Sequence, residues 1–213
     1  LFLGHYGSGK THAAINWALA LRAAGYRTAI ADLDIVNPYF RTKDSKKTLD
    51  ENGIALISSP FAGSNVDLPA LPQEMYDIVD QKAVHFVVDV GGDDRGALAL
   101  GRLTDRLVEE NDYEALFVFN CYRPLTRTAA DAMGILREIE SACRLPVTGI
   151  VNCSNLGEQT TRETVLASLP AANELAKLSG LPVRLTAVLE PLAGQLSGDI
   201  QNVFPMRHHQ THY

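Results

Sequence analysis

The sequence predicts an α/β protein, a doubly wound and mostly parallel sheet of about seven strands with helices on both faces. Along the 213 residues, short runs of apolar and β-branched residues alternate with longer runs of helical character. The strand runs are almost continuously apolar, as expected for strands that are covered on both faces. Since helical segments separate successive strands, neighbouring strands are expected to be parallel and ligands to bind at their carboxyl ends.

The strands are expected in seven apolar segments. In chain order these are Leu1-Phe2-Leu3, Thr28 to Leu33, Ile54 to Ser58, Val84 to Val90, Ala115 to Phe119, Val147 to Val151 and Val183 to Leu189. Helices are expected in five segments between them, namely Thr11 to Ala24, Thr42 to Glu51, Ala97 to Glu110, Thr126 to Ala142 and Gln159 to Leu178. Gly25, Gly53 and Gly180 follow three of these segments, at the position where a glycine commonly ends a helix.

Length and composition favour a single domain over residues 1–213. The net charge of −6 does not indicate a basic surface for nucleic acid. No apolar run approaches the roughly 18 residues of a membrane span, so we expect a cytoplasmic protein without a membrane anchor. Cys121, Cys143 and Cys153 are odd in number and widely spaced, which predicts reduced thiols. Leu1 falls inside the first predicted strand, and we expect a few residues to precede it.

The segment Phe61 to Gln81 differs from the rest of the chain. Pro69 and Pro72 interrupt it too often for a full crossover helix, and it is long for an ordinary loop. Two interpretations stay open: a lid or partner-binding surface, or a surface excursion that ends in a short helix from Gln73.

A phosphate-binding loop is predicted at Gly4-His5-Tyr6-Gly7-Ser8-Gly9-Lys10-Thr11, which matches the Walker A pattern G-x-x-x-x-G-K-[ST]. The required strand precedes it and the required helix follows it. The glycines let backbone N–H groups surround an anion, and Lys10 brings a charge to the β- and γ-phosphates for binding and catalysis. Thr11 is expected to ligate Mg²⁺. His12, directly after the loop, is included among the predicted nucleotide-binding residues.

Acidic residues end two of the predicted strands. Asp89 is expected to hold the Mg²⁺ shell through water, and Gly91 to let a backbone N–H approach the γ-phosphate. Asp32 and Asp34 share one face of their strand because side chains alternate. One of them is expected to hold Mg²⁺ through water and the other to orient the attacking water. The competing interpretation is turn chemistry around Asn37-Pro38.

The chain resembles the SIMIBI class of P-loop NTPases, and within it the MinD/ParA/Mrp-like ATPases. The resemblance is carried by the loop Gly4 to Thr11, by Asp32-x-Asp34 and by Asp89-x-Gly91-Gly92. The resemblance implies that Asp34 orients the attacking water, while Asp32 and Asp89 support Mg²⁺ through water. Loops of the deviant type in this class carry a lysine that reaches the nucleotide of the partner subunit. His5 stands at that position here, so a homodimer of this protein would lack the lysine contact.

The base is predicted from the residues after Val147 to Val151. GTPases of the superclass carry N-K-x-D at this point, whereas here Asn155 replaces the guanine-reading carboxylate. MinD-like ATPases use an asparagine after this strand to contact adenine, and Asn152 resembles that residue. The alternative is that Asn152 only closes a turn.

The predicted function is therefore a Mg²⁺-dependent ATP-binding protein and ATPase that acts as a nucleotide-driven switch of the MinD/ParA-like type. Turnover is expected to be slow without a partner. The expected cofactors are ATP and Mg²⁺, and the expected partners are ATP or ADP, an unidentified protein and a second copy of the chain. Alternatives are a metallochaperone-type NTPase for metal-centre assembly, an ATP-dependent small-molecule kinase or ligase-like enzyme, and a nucleotide-binding module without turnover.

Overall fold

The computed structural model describes residues 1–33, 42–58, 73–79, 81–92 and 94–207, and these residues form eight strands and eight α-helices. The strands are β1 (Phe2–Leu3), β2 (Thr28–Leu33), β3 (Ala55–Ser58), β4 (His85–Val90), β5 (Leu116–Phe119), β6 (Gly149–Asn152), β7 (Val183–Leu189) and β8 (Val203–Met206). The helices are α1 (Lys10–Ala23), α2 (Thr42–Glu51), α3 (Gln73–Val79), α4 (Asp94–Leu100), α5 (Thr104–Glu110), α6 (Ala129–Cys143), α7 (Arg162–Ser179) and α8 (Glu190–Leu196).

All eight strands belong to one parallel sheet, in the order β3-β2-β4-β1-β5-β6-β7-β8. The short strand β1 lies in the middle, between β4 on one side and β5 on the other. The carboxyl end of β1 therefore opens where the sheet order divides, which is the position at which open α/β sheets bind ligands.

Two hydrophobic cores lie on opposite faces of the sheet because successive strand residues point to opposite faces. Phe2 clusters with Ala14 of α1 and Leu49 of α2. Leu3, the next residue, clusters with the buried leucines of α4, α6 and α7. The predicted doubly wound α/β fold with helices on both faces is confirmed.

The eighth strand, β8, lies at the edge of the sheet beside β7 and was not among the predicted segments. It is short and contains Pro205, which has no N–H to donate to a neighbouring strand. An edge position tolerates proline, so Pro205 is compatible with the place of β8 in the fold.

The predicted helix Ala97 to Glu110 is divided into α4 and α5. Gly101 lies at the break, and the Thr104 hydroxyl donates to the Cys143 carbonyl oxygen at 2.6 Å. The break buries both Leu100 and Leu103 in the core. A contact with the distant helix α6 thus accompanies the break.

Helix α3 begins at Gln73, as the second interpretation of Phe61 to Gln81 states. The rest of that segment up to residue 72, and with it the lid interpretation, lies outside the described residues. None of the described helices is long and apolar enough to span a membrane.

Candidate phosphate-binding site

The predicted phosphate-binding loop connects β1 to α1 at the carboxyl end of the central strand. Gly4, Gly7 and Gly9 have φ angles of 145°, 76° and 97°, in the region that side chains with a Cβ atom rarely adopt. A Cβ atom on Gly4 would lie 2.6 Å from the Val118 carbonyl oxygen. Both backbone conformation and space therefore require glycine here.

The interior of the loop suits an anion. The Ser8 side chain is 2% exposed, and its hydroxyl oxygen has no hydrogen-bond partner among the described residues. The Lys10 side chain is 5% exposed and its ammonium donates to the His5 carbonyl oxygen at 3.1 Å. An unsatisfied buried hydroxyl is costly, and phosphate oxygens are strong acceptors for both groups. The residues present thus fit a bound phosphate.

Three predicted Mg²⁺ residues are brought together beside the loop. Asp32 and Asp89 are paired neighbours on β2 and β4, and Asp89 is 3% exposed. Thr11, Asp32, Asp89 and the buried Ser45 line a cavity of about 20 Å³. A volume of roughly 10–15 Å³ holds one water molecule. The cavity therefore has room for one water molecule or one small ion. Ser45 was not predicted, because nothing in sequence distinguishes it from other serines.

The donor set is a hydroxyl and two carboxylates. Within the described ranges, no three or more His, Cys, Asp or Glu side chains form a metal-binding group. Mg²⁺ suits such a sparse set because it keeps several of its waters and is commonly held by one or two carboxylates together with phosphate oxygens. The predicted water-orienting residue, Asp34, lies outside the described residues.

The segment after β4 packs directly on the loop. A Cβ atom on Gly92 would lie 2.6 Å from the Tyr6 nitrogen, and one on Gly96 would lie 2.6 Å from the Gly91 nitrogen. Gly91 therefore packs on Gly96 of α4, and the residue after it packs on the loop. Its approach to a γ-phosphate stays a prediction.

The three side chains predicted around the glycines point in different directions. The His5 Nδ1 donates to the Tyr6 carbonyl oxygen at 3.2 Å, and Tyr6 is 57% exposed. The His12 Nε2 donates to the Arg207 carbonyl oxygen at 2.8 Å, so this ring faces the chain after β8. Asn16 accepts from the Arg207 nitrogen at 2.8 Å and fixes the same segment. The nucleotide contact of His12 stays a prediction.

Asn152 ends β6 and is completely buried, at 0% exposure. Its Nδ2 donates to the Ser168 hydroxyl at 2.9 Å, and its Oδ1 accepts from the Ser154 nitrogen at 3.2 Å. These bonds serve the turn after β6, as the alternative interpretation describes. The contact of Asn152 with adenine stays a prediction.

Two residues near the loop were not predicted as part of the site, because no motif includes them. The Nε of Arg123, after β5, donates to the Gly7 carbonyl oxygen at 2.9 Å. Cys153, after β6, lies so close to Gly9 that a Cβ atom there would be 2.6 Å from its sulfur. Burial raises the pKa of the Cys153 thiol to about 12, with Arg123 acting in the opposite direction.

A further cavity of about 520 Å³ lies at the other end of the sheet. It is lined by Leu1, Trp17, His85 and Leu116, at or near the amino ends of β1, β4 and β5. Since the phosphate-binding loop leaves the carboxyl end of β1, this cavity is not part of the candidate site.

The all-parallel sheet with helices on both faces is a fold that this chain shares with solved structures of other proteins. No protein-family profile and no curated protein sequence matches this chain, whereas solved structures do. Cell division protein FtsY from Thermotoga maritima is 18% identical, with a TM-score of 0.60 over 88% of this chain and 60% of that chain. Signal recognition particle receptor FtsY from Elizabethkingia anophelis is 17% identical, with a TM-score of 0.56 over 87% and 56%.

A third similar structure is the signal recognition particle 54 kDa protein from Aeropyrum pernix K1 in complex with GDP. It is 18% identical, with a TM-score of 0.56 over 87% of this chain and 40% of that chain. This chain spans about half the length of these proteins. The likeness concerns the fold, and it does not show whether the chain is of the MinD/ParA-like type.

We expect Gly92→Ala to destabilise the protein by about 1–3 kcal/mol, because the added methyl group meets the backbone of Tyr6. Gly134→Ala is the matched control. Gly134 lies inside α6 with no atom near its Cβ position, so alanine there is expected to stabilise by about 0.5–1 kcal/mol. Urea unfolding measures both; equal stability of Gly92→Ala and the parent would contradict the packing of Gly92 on the loop.

We expect one fast-reacting thiol in the native protein at about pH 8, because only a thiolate reacts. Cys121 is half-buried, whereas burial raises the pKa of both Cys143 and Cys153 and keeps them protonated. An aromatic disulfide reagent is expected to modify Cys121 at once and the other two only in denaturant. Cys121→Ser is the control and should remove the fast phase; a fast phase that persists in this variant would refute the assignment.

Proposed function

We propose that the protein is a Mg²⁺-dependent ATP-binding protein and ATPase that acts as a nucleotide-driven switch of the MinD/ParA-like type. The observation that carries this proposal is the buried pair of Ser8 hydroxyl and Lys10 ammonium inside a glycine loop at the carboxyl end of β1. A nucleotide is also supported by the similar folds, since both the 54 kDa protein and a FtsY structure are described in complex with GDP.

Each residue has a distinct role in this proposal. Ser8, Lys10 and the loop amides bind the phosphates, while the Thr11 hydroxyl and the carboxylates of Asp32 and Asp89 hold Mg²⁺ directly or through water. When bound, Mg²⁺ neutralises charge that develops on the transferred phosphoryl group. Asp34 orients the attacking water. Catalysis of this kind needs positioning and electrostatics, which a fixed backbone loop provides.

The contacts of Gly91 and Gly92 support the switch. Gly92 packs on Tyr6 of the loop, and Gly91 packs on Gly96 in the first turn of α4. A change at the γ-phosphate would therefore reach α4 through two close backbone contacts, and close contacts transmit small displacements because packed atoms cannot compress. A cytoplasmic protein partner or a second copy of the chain is proposed to bind according to the state of this segment.

Adenine is proposed over guanine because Asn155 stands where a guanine-reading carboxylate is expected. The Asn155 Nδ2 donates to the Cys153 carbonyl oxygen at 2.8 Å, and its Oδ1 accepts from the Gly157 nitrogen at 3.1 Å. An amide also cannot accept from two guanine N–H groups as a carboxylate can. The GDP in the similar structures belongs to those proteins.

We expect Lys10→Ala to lower the affinity for ATP by roughly a hundredfold or more, because it removes the buried charge that meets the phosphates. Lys177→Ala, on the exposed face of α7, is the control and should bind ATP like the parent.

Asp34→Ala should bind ATP and fail to hydrolyse it. Calorimetry and phosphate release measure these effects. Unchanged ATP affinity in Lys10→Ala would refute the phosphate-binding loop, and parental turnover in Asp34→Ala would refute the role of that residue.

We expect ATP to bind more tightly than GTP. The measurement is competition of each nucleotide against a fluorescent ATP analogue at saturating Mg²⁺. Asn155→Asp tests the reason, because a carboxylate at this position is expected to shift the preference towards GTP. If GTP displaces the analogue more than about tenfold better than ATP, the adenine assignment is wrong.

A further inference from the structure

Arg123 is a charged side chain next to the phosphate-binding loop. The phosphate chemistry proposed above gives it no role. Its Nε donates to the Gly7 carbonyl oxygen at 2.9 Å, and its guanidinium carbon lies 3.8 Å from the Cβ position of Gly7. Its charge also acts on the buried Cys153 thiol. The guanidinium therefore lies against the phosphate-binding loop.

The segment that carries Arg123 is fixed by bonds to the sheet. The Asn120 carbonyl oxygen, fully buried at the end of β5, accepts from the Arg123 nitrogen at 3.2 Å and from the Thr126 hydroxyl at 2.7 Å. The Cys121 nitrogen donates to the Ser154 hydroxyl at 3.0 Å, which joins this segment to the one after β6. The fold thus determines where Arg123 stands.

The sheet order indicates which part of a nucleotide Arg123 meets. Asp32 and Asp89, the residues proposed to hold Mg²⁺ near the terminal phosphates, belong to β2 and β4, on one side of β1. Arg123 follows β5, on the other side of β1. The nucleoside and the terminal phosphates are opposite ends of a nucleotide, so a nucleotide with its terminal phosphates on the β4 side of the loop would place its nucleoside on the other side, where β5 and β6 end.

We propose that Arg123 packs its guanidinium against the nucleoside part of the bound nucleotide and supplies affinity that does not depend on the base. This inference rests on the proposed nucleotide binding. A guanidinium is planar and stacks on aromatic rings, and every base has such a face. Nε donates to the Gly7 carbonyl oxygen, and the guanidinium has four other N–H donors, which could hydrogen-bond to ribose hydroxyls.

The test is calorimetric binding of ATP, GTP and inorganic tripolyphosphate, with Mg²⁺, to the parent and to Arg123→Ala. We expect the affinities for ATP and GTP to fall by the same factor, roughly three- to tenfold, while the affinity for tripolyphosphate changes less than about twofold. Arg123→Lys keeps the charge and loses the planar group, so its ATP affinity is expected to stay within about twofold of Arg123→Ala. Arg127→Ala, an exposed arginine in the same segment, is the control and should match the parent.

Equal losses for ATP and tripolyphosphate would overturn the inference, because they would place Arg123 on the phosphates. Recovery of ATP affinity by Arg123→Lys, or parental ATP affinity in Arg123→Ala, would overturn it as well. The proposed function fails in a different way: a parent protein that binds neither ATP, GTP nor tripolyphosphate would refute nucleotide binding itself, together with the role of Arg123.

Discussion

The phosphate-binding loop depends on three close approaches between its backbone and neighbouring parts of the chain. Gly4 lies against the Val118 carbonyl oxygen of β5, Gly9 against the Cys153 sulfur, and Gly92 against the Tyr6 nitrogen. In each case a methyl group would stand 2.6 Å from its neighbour. The loop conformation is therefore stabilised by packing from β4, β5 and β6, and the anion cradle exists because the sheet around it is assembled.

Much of the fold could be predicted because its strands are buried on both faces, and burial leaves a continuous apolar run in sequence. The bounds of β2 and β7 were predicted to the residue. The sequence also predicts Asp32 and Asp89 at the carboxyl ends of parallel strands, which lie at one edge of the sheet. The structure adds that the two residues are direct neighbours on β2 and β4. These features depend on the pattern of apolar residues and on the order of the segments along the chain, and both can be read directly from the sequence.

The features that could not be predicted depend on contacts between residues far apart in sequence. The hydroxyl of Thr104 bonds to Cys143 of another helix and accompanies the break between α4 and α5. Ser45 and Arg123 reach the loop from α2 and from the segment after β5, and no spacing rule connects either with Gly4 to Thr11. Asp34 lies outside the described residues, so its role is predicted from sequence.

The two sides of β1 build the site in different ways, and this difference bears on how a switch can work. On the β4 side, Asp89 belongs to a strand, and the nearby Gly92 contacts the loop backbone, so in the proposed switch a change at the terminal phosphates would meet the segment that leads to α4. On the β5 side, a hydrogen bond from the Cys121 nitrogen to the Ser154 hydroxyl joins the segments after β5 and β6. In the proposed function, this joined surface would bind the nucleoside, which both nucleotide states share, while the β4 side would respond to the γ-phosphate.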